Sequence, residues 1–352
     1  MAVNRINTLD YLRGLMALGI MIYHYYIWTF NKLGADSIIG ITGVYGVSVF
    51  YILSGLTLYH VYNKSLKLQN TLDFFIKRIF RILPLLWLSV GLNIFLLNKS
   101  YDFNTVFLNL TGLFGYLDHD NYVTTGAWSI GNELVFYSLF PLIIISSSWK
   151  HYLNNFFFII SLIVGLYFAY FKLVPTESLS GQWSNYINPL NQIYLFAGGS
   201  IIAKYLSNKK NNFIAITFLL LCVLFIILYQ VDGDLINLVT GNNRIYFSAC
   251  AFTLTSAFYL IDIKIHKLFH WLLLKLGHIS YSIYLMHAII YWYSAQFINK
   301  KNNQLLFFFL CIGITLLVSW FTYHYYEKTF TVIQKRILRL VNDARIRMLK
   351  SK

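Results

Sequence analysis

Two residues of the first apolar segment are of types that do chemistry. Arg13 and His24 lie in the stretch NTLDYLRGLMALGIMIYHYYIWTF, with ten residues between them. At about 100° and 1.5 Å per helical residue, their side chains project within roughly 20° of each other and about 16 Å apart along the axis. Arginine binds anions, and imidazole, with an ordinary pKa of about 6.5, suits general-base catalysis. Because charge facing lipid is costly, we expect both to face an interior or a cavity, although snorkelling to headgroups would also explain Arg13.

Two further ionisable residues are predicted at the depth of His24. Glu133 lies in the stretch TTGAWSIGNELVFYSLFPL, and His287 ends the stretch LLLKLGHISYSIYLMH. The rise per helical residue places all three about 20–22 Å above the inner membrane face. A buried carboxylate needs a partner, whereas a single buried histidine is more often structural. The three side chains are candidates for one site, provided that their helices are neighbours.

A second tier of basic residues is predicted nearer the inner face. The stretch FIKRIFRILP carries Lys77, Arg78 and Arg81. Arg78 and Arg81 share one helix face because they are three residues apart, and Arg13 is predicted at a comparable depth. Guanidinium groups bind phosphates bidentately, so this tier suits a phosphorylated ligand. As an alternative, the three residues are ordinary positive-inside anchors.

A membrane-embedded helical scaffold is required to position these residues. Of 352 residues, 58% are hydrophobic and 12% are charged, about half the charged fraction of a typical soluble domain. Apolar runs of roughly 20 residues, each able to cross a ~30 Å hydrocarbon core, recur along the chain. We predict an all-α, polytopic membrane domain over 1–330 and a basic amphipathic cytoplasmic tail over 331–352. The ten predicted transmembrane helices are about 9–30, 41–62, 76–97, 126–148, 154–174, 188–206, 213–231, 244–263, 271–298 and 305–326.

The net charge of +15 follows membrane topology and gives no indication of a nucleic-acid partner. Twenty-one of the 28 lysines and arginines fall in predicted cytoplasmic segments, against six in outer loops. This bias places both termini in the cytoplasm. The tail is predicted to lie on anionic inner-leaflet headgroups. The three cysteines lie in apolar runs, where we expect them to pack, and no pattern suggests a metal site.

Six stretches, in order, resemble the membrane acyltransferase family 3, the integral membrane proteins of the O-acetyltransferase type. Together they cover the chain from about residue 7 to 330. One departure is Tyr11, where the family commonly has glycine. The likeness lies in Arg13 and His24 (Arg-x10-His), Ser54 and Gly55 in FYILSGLTLY, Arg78, Arg81 and Pro84 in FIKRIFRILPLLWL, Trp128, Ser129 and Glu133 in AWSIGNELVFYSLFPLI, His287 in LGHISYSIYLMH, and Glu327 in YYEKTF.

The resemblance implies transfer of an acyl group, usually acetyl, from cytoplasmic acyl-CoA as co-substrate to a hydroxyl of a sugar or glycolipid. His24 is expected to act as general base and Glu133 to orient it, as the carboxylate does in Ser-His-Asp sites. His287 is a second proton handler or an acceptor ligand. No serine or cysteine stands out as a nucleophile, so direct transfer is predicted. The remaining expected roles are donor binding by Arg13, Lys77, Arg78 and Arg81, and substrate binding by Trp128 and Ser129.

Other interpretations of the same residues remain open at this point. Intramembrane His, Glu and Arg also form proton relays, so the chain would equally suit a glycan or lipid transporter. In a structural or sensory protein, they would only join helices. Trp128 would also serve as an interfacial anchor. For a transferase, the expected location is the bacterial cytoplasmic membrane, and the expected partners are the lipid bilayer, an extracytoplasmic sugar or glycolipid acceptor and glycan-assembly proteins.

Overall fold

The chain folds into a bundle of helices. The computed structural model describes residues 5–150, 152–206, 210–299 and 303–350, and in these ranges it contains helices and loops but no strand. The all-α prediction is therefore confirmed. The helices are α1 (Asn7–Thr29), α2 (Ile38–Tyr62), α3 (Thr71–Leu96), α4 (Phe103–Thr111), α5 (Phe114–Leu117), α6 (Ala127–Trp149), α7 (Leu153–Tyr167), α8 (Trp183–Ile187), α9 (Pro189–Leu206), α10 (Asn212–Leu228), α11 (Gly241–Leu260), α12 (Lys267–Phe297), α13 (Gln304–Phe321) and α14 (Lys328–Lys350).

Six helical segments in the described part of the chain are long and apolar enough to cross a membrane, which identifies an integral membrane protein. Helices also occupy the other four predicted positions, as α1, α9, α10 and α11. The apolar α10 has only 17 residues. The count of ten spans and the cytoplasmic location of both termini therefore stay predictions. The six segments are Ile38–Tyr62, Leu68–Leu96, Ala127–Ser148, Leu153–Lys172, Lys267–Phe297 and Gln304–Met348.

Glycines bring two pairs of helices into backbone contact. A Cβ added at Gly55 of α2 would lie 1.9 Å from the carbonyl oxygen of Phe196 in α9. Where α1 crosses α12, a Cβ added at Gly14 would lie 2.7 Å from the backbone nitrogen of Gly277. Small residues permit such close approach between membrane helices, where dispersion contacts rather than hydrophobic burial drive association. These two contacts hold α2 against α9 and α1, which carries Arg13 and His24, against α12, which carries His287.

Replacing Gly55 with alanine is expected to destabilise the protein by about 1–3 kcal/mol, because the backbone of α9 must move to admit a methyl group. Gly91 of α3 is the matched control, since a Cβ added there meets no atom within 4 Å. Thermal unfolding of the two purified variants in detergent measures the difference. Equal melting temperatures for Gly55→Ala and Gly91→Ala contradict the close contact.

The C-terminal residues continue the bundle as one long helical segment. A π-helical turn, Thr322–Glu327, joins α13 to α14. At the start of α14, the rings of Phe330 and Trp87 lie 6.2 Å apart. Near its end, Arg345 forms a 2.9 Å ion pair with Asp73, in the first turn of α3. Helix α14 therefore runs back along α3 in the opposite direction. The division of the chain at residue 330 stays a prediction.

Candidate active site

A cavity of about 790 Å³ opens among α1, α2, α3, α6, α12 and α14. Its size falls within the ~300–1,000 Å³ range of small-molecule sites. Seven basic side chains line it against three acidic ones, so its field favours an anionic ligand. All four residues predicted to bind the donor are among them. The basic residues are Arg5, Arg13, Lys77, Arg78, Arg81, Lys328 and Lys335, and the acidic residues are Asp10, Glu133 and Glu327.

Arg13 faces this cavity but is already paired. Its Nη1 lies 3.0 Å from the carboxylate of Asp10, one helical turn earlier, and Asp10 also accepts a 2.6 Å hydrogen bond from Arg5. The buried Asp10 therefore partly neutralises Arg13 and fixes its guanidinium. Sequence reasoning missed Asp10, although its spacing of three residues before Arg13 was the signal for a pair on one helix face.

Arg78 and Lys77 are held against aromatic rings. Arg78 lies 5.9 Å from the ring centroids of both Phe74 and Tyr137, and the Lys77 ammonium lies 5.9 Å from that of Tyr62. The Nε of Arg78 is buried and has no hydrogen-bond partner among the described residues. Cation–π contacts orient these cations without neutralising them. Their N–H donors are therefore available to an anionic ligand.

Glu133 lies in the deep part of the cavity, on α6. Its carboxylate is beside the hydroxyls of Ser54 and Tyr137, which lie 2.8 Å from each other. It is also within electrostatic range of Arg13 and Arg81. These neighbours supply the partner that a buried carboxylate needs. Arg81 is close to two carboxylates, because Glu327 is also a charged neighbour.

His24 and His287 form a hydrogen-bonded pair. The Nδ1 of His24 lies 3.0 Å from the Nε2 of His287, and the rings stack with centroids 5.0 Å apart. The Nδ1 of the fully buried His287 lies 2.7 Å from the carbonyl oxygen of Tyr284 and 3.2 Å from that of Ile283. Since a carbonyl only accepts, Nδ1 of His287 carries a proton and donates it.

These hydrogen bonds define the tautomer of each neutral ring. Because Nδ1 of His287 is protonated, its Nε2 is an acceptor and receives the Nδ1 proton of His24. The Nε2 of His24 is then left with a lone pair, the arrangement that a general base requires. His24 contacts His287 and the backbone of Ile20, and the expected role of Glu133 in orienting His24 stays a prediction. Glu133 lies on the cavity side, among arginines.

Tyr284 and Ser129 lie between the cavity and the histidine pair. Both line the cavity, whereas His24 and His287 do not. The hydroxyls of Tyr284 and Ser129 are 2.8 Å apart, and the ring of Tyr284 lies 6.2 Å from that of His287. Helix α6 begins here after Gly126, whose φ of +87° glycine adopts without strain. Tyr284 therefore belongs both to the cavity lining and to the surroundings of His287.

Trp128 packs inside the protein, one residue before Ser129. Only 6% of its surface is exposed. Its ring lies 5.6 Å from that of Trp183 and 5.8 Å from that of Tyr186. A tryptophan that anchors a protein at headgroups faces lipid, so this burial excludes the interfacial-anchor interpretation. Trp128 joins the start of α6 to the segment around α8.

The arrangement combines a cationic cavity, enclosed by membrane helices, with a neighbouring hydrogen-bonded histidine pair. The family model described as "Acyltransferase domain", that of acyltransferase family 3, matches residues 6–324 of 352. The chain belongs to this family. Comparison with curated proteins and with solved structures found no match. Within the described residues, no group of three or more His, Cys, Asp or Glu side chains is arranged to hold a metal ion.

Proposed function

We propose that this protein transfers an acetyl group from cytoplasmic acetyl-CoA to a hydroxyl of a surface polysaccharide or glycolipid, across the bacterial cytoplasmic membrane. One observation carries the proposal: α1 presents Arg13 to the cationic cavity and His24 to the histidine pair. A single helix thus contributes to a donor site at one level and a base at another. Membership of an acyltransferase family favours this function over the transporter.

The distribution of charge orients the donor in the cavity. Its phosphates are attracted by Lys77 and Arg78, whose charges no carboxylate neutralises within 4 Å among the described residues. They are repelled by Glu133 at the deep end. The nucleotide therefore binds toward the mouth, and the uncharged pantetheine arm extends past Glu133 toward Ser129 and Tyr284. Binding energy from the phosphates positions the remote thioester.

His24 provides the base for direct transfer. Its Nε2 takes the proton of the acceptor hydroxyl as the hydroxyl oxygen bonds to the thioester carbonyl carbon. Collapse of the tetrahedral intermediate breaks the carbon–sulfur bond, and the imidazolium of His24 returns the proton to the departing thiolate. While His24 is charged, its Nδ1–H donates a charge-assisted hydrogen bond to Nε2 of His287. His287 is thus a positioning and stabilising residue.

Ser129 and Tyr284 occupy the route of the acyl group in this proposal. They line the cavity and the two histidines do not, so the thioester reaches His24 when these hydrogen-bonded side chains move apart. Each hydroxyl also donates to the carbonyl oxygen of Gly126, so it exchanges that acceptor for the thioester carbonyl oxygen when the donor arrives. In this proposal Ser129 contacts the substrate, and the buried Trp128 holds Ser129 in place. Glycan-assembly proteins would supply the acceptor on the outer side.

Cells with and without the gene are expected to differ by acetyl groups on a surface polysaccharide or glycolipid. Mass spectrometry of both fractions measures this difference and names the acceptor. Complementation with the wild-type gene restores the acetylated species, and complementation with His24→Asn does not. The proposal fails if both fractions are identical in the two strains and the purified protein moves glycolipid between leaflets without binding acyl-CoA.

A further inference from the structure

One face of α14 lines the cavity. The side chains that reach it are spaced by three or four residues, which places them on a single stripe of the helix. This stripe lies beyond residue 324, where the family match ends. Its members are Lys328, Thr331, Gln334, Lys335 and Leu338.

Contacts with α3 near both ends of helix α14 hold it in this position. The hydroxyl of Tyr326, just before α14, donates a 2.9 Å hydrogen bond to the carbonyl oxygen of Pro84. Fifteen residues after the contact of Phe330 with Trp87, Arg345 is paired with Asp73 at 2.9 Å. The cavity-lining stripe falls between these contacts. It is therefore a fixed wall of the cavity and is not free to lie on lipid headgroups.

The two lysines of the stripe bring unneutralised positive charge to the cavity. Neither Lys328 nor Lys335 has a carboxylate within 4 Å in the described part of the chain. The Lys328 ammonium lies 5.2 Å from the ring centroid of Tyr323, which orients it without cancelling its charge. With Lys77 and Arg78 on α3, these cations face one space from two helices. An anion with several phosphates matches that arrangement.

We propose that α14 forms one wall of the donor site and that Lys328 and Lys335 bind the phosphates of the CoA thioester. This inference rests on the proposed function, because it takes the donor to be a CoA thioester. It assigns a ligand-binding role to a segment that the basic amphipathic pattern alone assigns to the membrane surface. The substrate class is a nucleotide-linked thioester with phosphate groups at its distal end.

The matched experiment compares two double variants of the full-length protein in nanodiscs. Lys328→Gln/Lys335→Gln removes two charges from the cavity side of α14, and Arg336→Gln/Arg339→Gln removes two exposed charges of the same helix that do not line the cavity. Binding of CoA is measured by calorimetry at several salt concentrations. We expect Lys328→Gln/Lys335→Gln to weaken CoA binding about tenfold and to make the affinity less dependent on salt. The affinity of Arg336→Gln/Arg339→Gln for CoA is expected to stay within about twofold of that of wild type.

The outcomes separate this inference from the proposed function. If wild-type protein does not bind CoA, the proposed donor is wrong. Suppose that wild type binds CoA and that Arg78→Ala weakens this binding. If Lys328→Gln/Lys335→Gln then binds CoA as tightly as Arg336→Gln/Arg339→Gln does, only the role of α14 is wrong. Equal losses for both pairs indicate a general surface-charge effect and also overturn it. Lys328→Arg/Lys335→Arg serves as a folding control and is expected to retain binding.

Discussion

Replacing His24 with asparagine is expected to lower acyl transfer by about a thousandfold, within the ~10²–10⁴-fold contribution of a general base. The amide nitrogen of asparagine takes the approximate place of Nδ1, so it still donates to Nε2 of His287. No group of the variant replaces the lone pair on Nε2 of His24. Transfer of labelled acetyl from acetyl-CoA to glycan acceptors in membrane vesicles measures the loss, and immunoblotting confirms equal insertion.

Substitutions of two other histidines, His324 and His287, test whether the effect is specific to His24. His324→Asn is the control, because His324 neither lines the cavity nor belongs to the pair, and it is expected to retain full activity. His287→Gln keeps an acceptor for the Nδ1 proton of His24 and is expected to lose less activity than His287→Ala, by about tenfold. If His24→Asn transfers acetyl at the wild-type rate, His24 is not the general base. Equal losses in the two His287 variants remove the hydrogen-bond role of that residue.

Replacing Arg78 with alanine is expected to weaken binding of acetyl-CoA by about tenfold to a hundredfold, the value of one or two hydrogen bonds from a charged donor. Arg78 has a buried Nε with no partner among the described residues, so the loss of its side chain removes donors that the protein itself does not use. Equilibrium binding to purified protein measures the change. Because Phe74 and Tyr137 keep their packing with each other, the fold is expected to persist.

The control for that substitution is Arg339→Ala, which removes an exposed arginine of α14 that does not line the cavity. Its affinity for acetyl-CoA is expected to equal that of wild type. A further comparison uses Arg81→Ala, which removes the cation beside Glu133 and Glu327. If Arg78→Ala binds acetyl-CoA as tightly as Arg339→Ala does, the cationic cavity is not the donor site.

Helical periodicity and the cost of intramembrane charge predicted that the ionisable residues would face an interior, but not that Glu133 would lie with the arginines and apart from the histidines. Arg13, the basic stretch and Glu133 line one cavity, because polar side chains of membrane helices turn away from lipid toward a common interior. The rise per residue also predicted equal depths for His24 and His287, which are in hydrogen-bond contact. Local spacing and depth are properties of each helix alone, so sequence reasoning can supply them.

Spacing and depth could not show that His24 hydrogen-bonds to His287. The depth of a residue does not show which helices are neighbours. The close crossing of α1 and α12 at Gly14 and Gly277 places His287 beside His24. The wall formed by α14 was missed for a similar reason. A basic amphipathic pattern is the same whether its face meets lipid headgroups or a charged cavity, and only tertiary contacts such as Arg345 with Asp73 distinguish the two.

The location of Ser129 and Tyr284 on the side of the cavity next to the histidine pair also has a consequence for the cell. A water-filled space of this size that continued to the opposite surface would conduct ions and discharge the gradients across the bilayer. In the proposed function, the two hydroxyl-bearing side chains separate the cavity from the histidine pair, so solutes that enter the cavity stop at them. The proposed donor, large and highly charged, would thus enter the protein without making the membrane leaky.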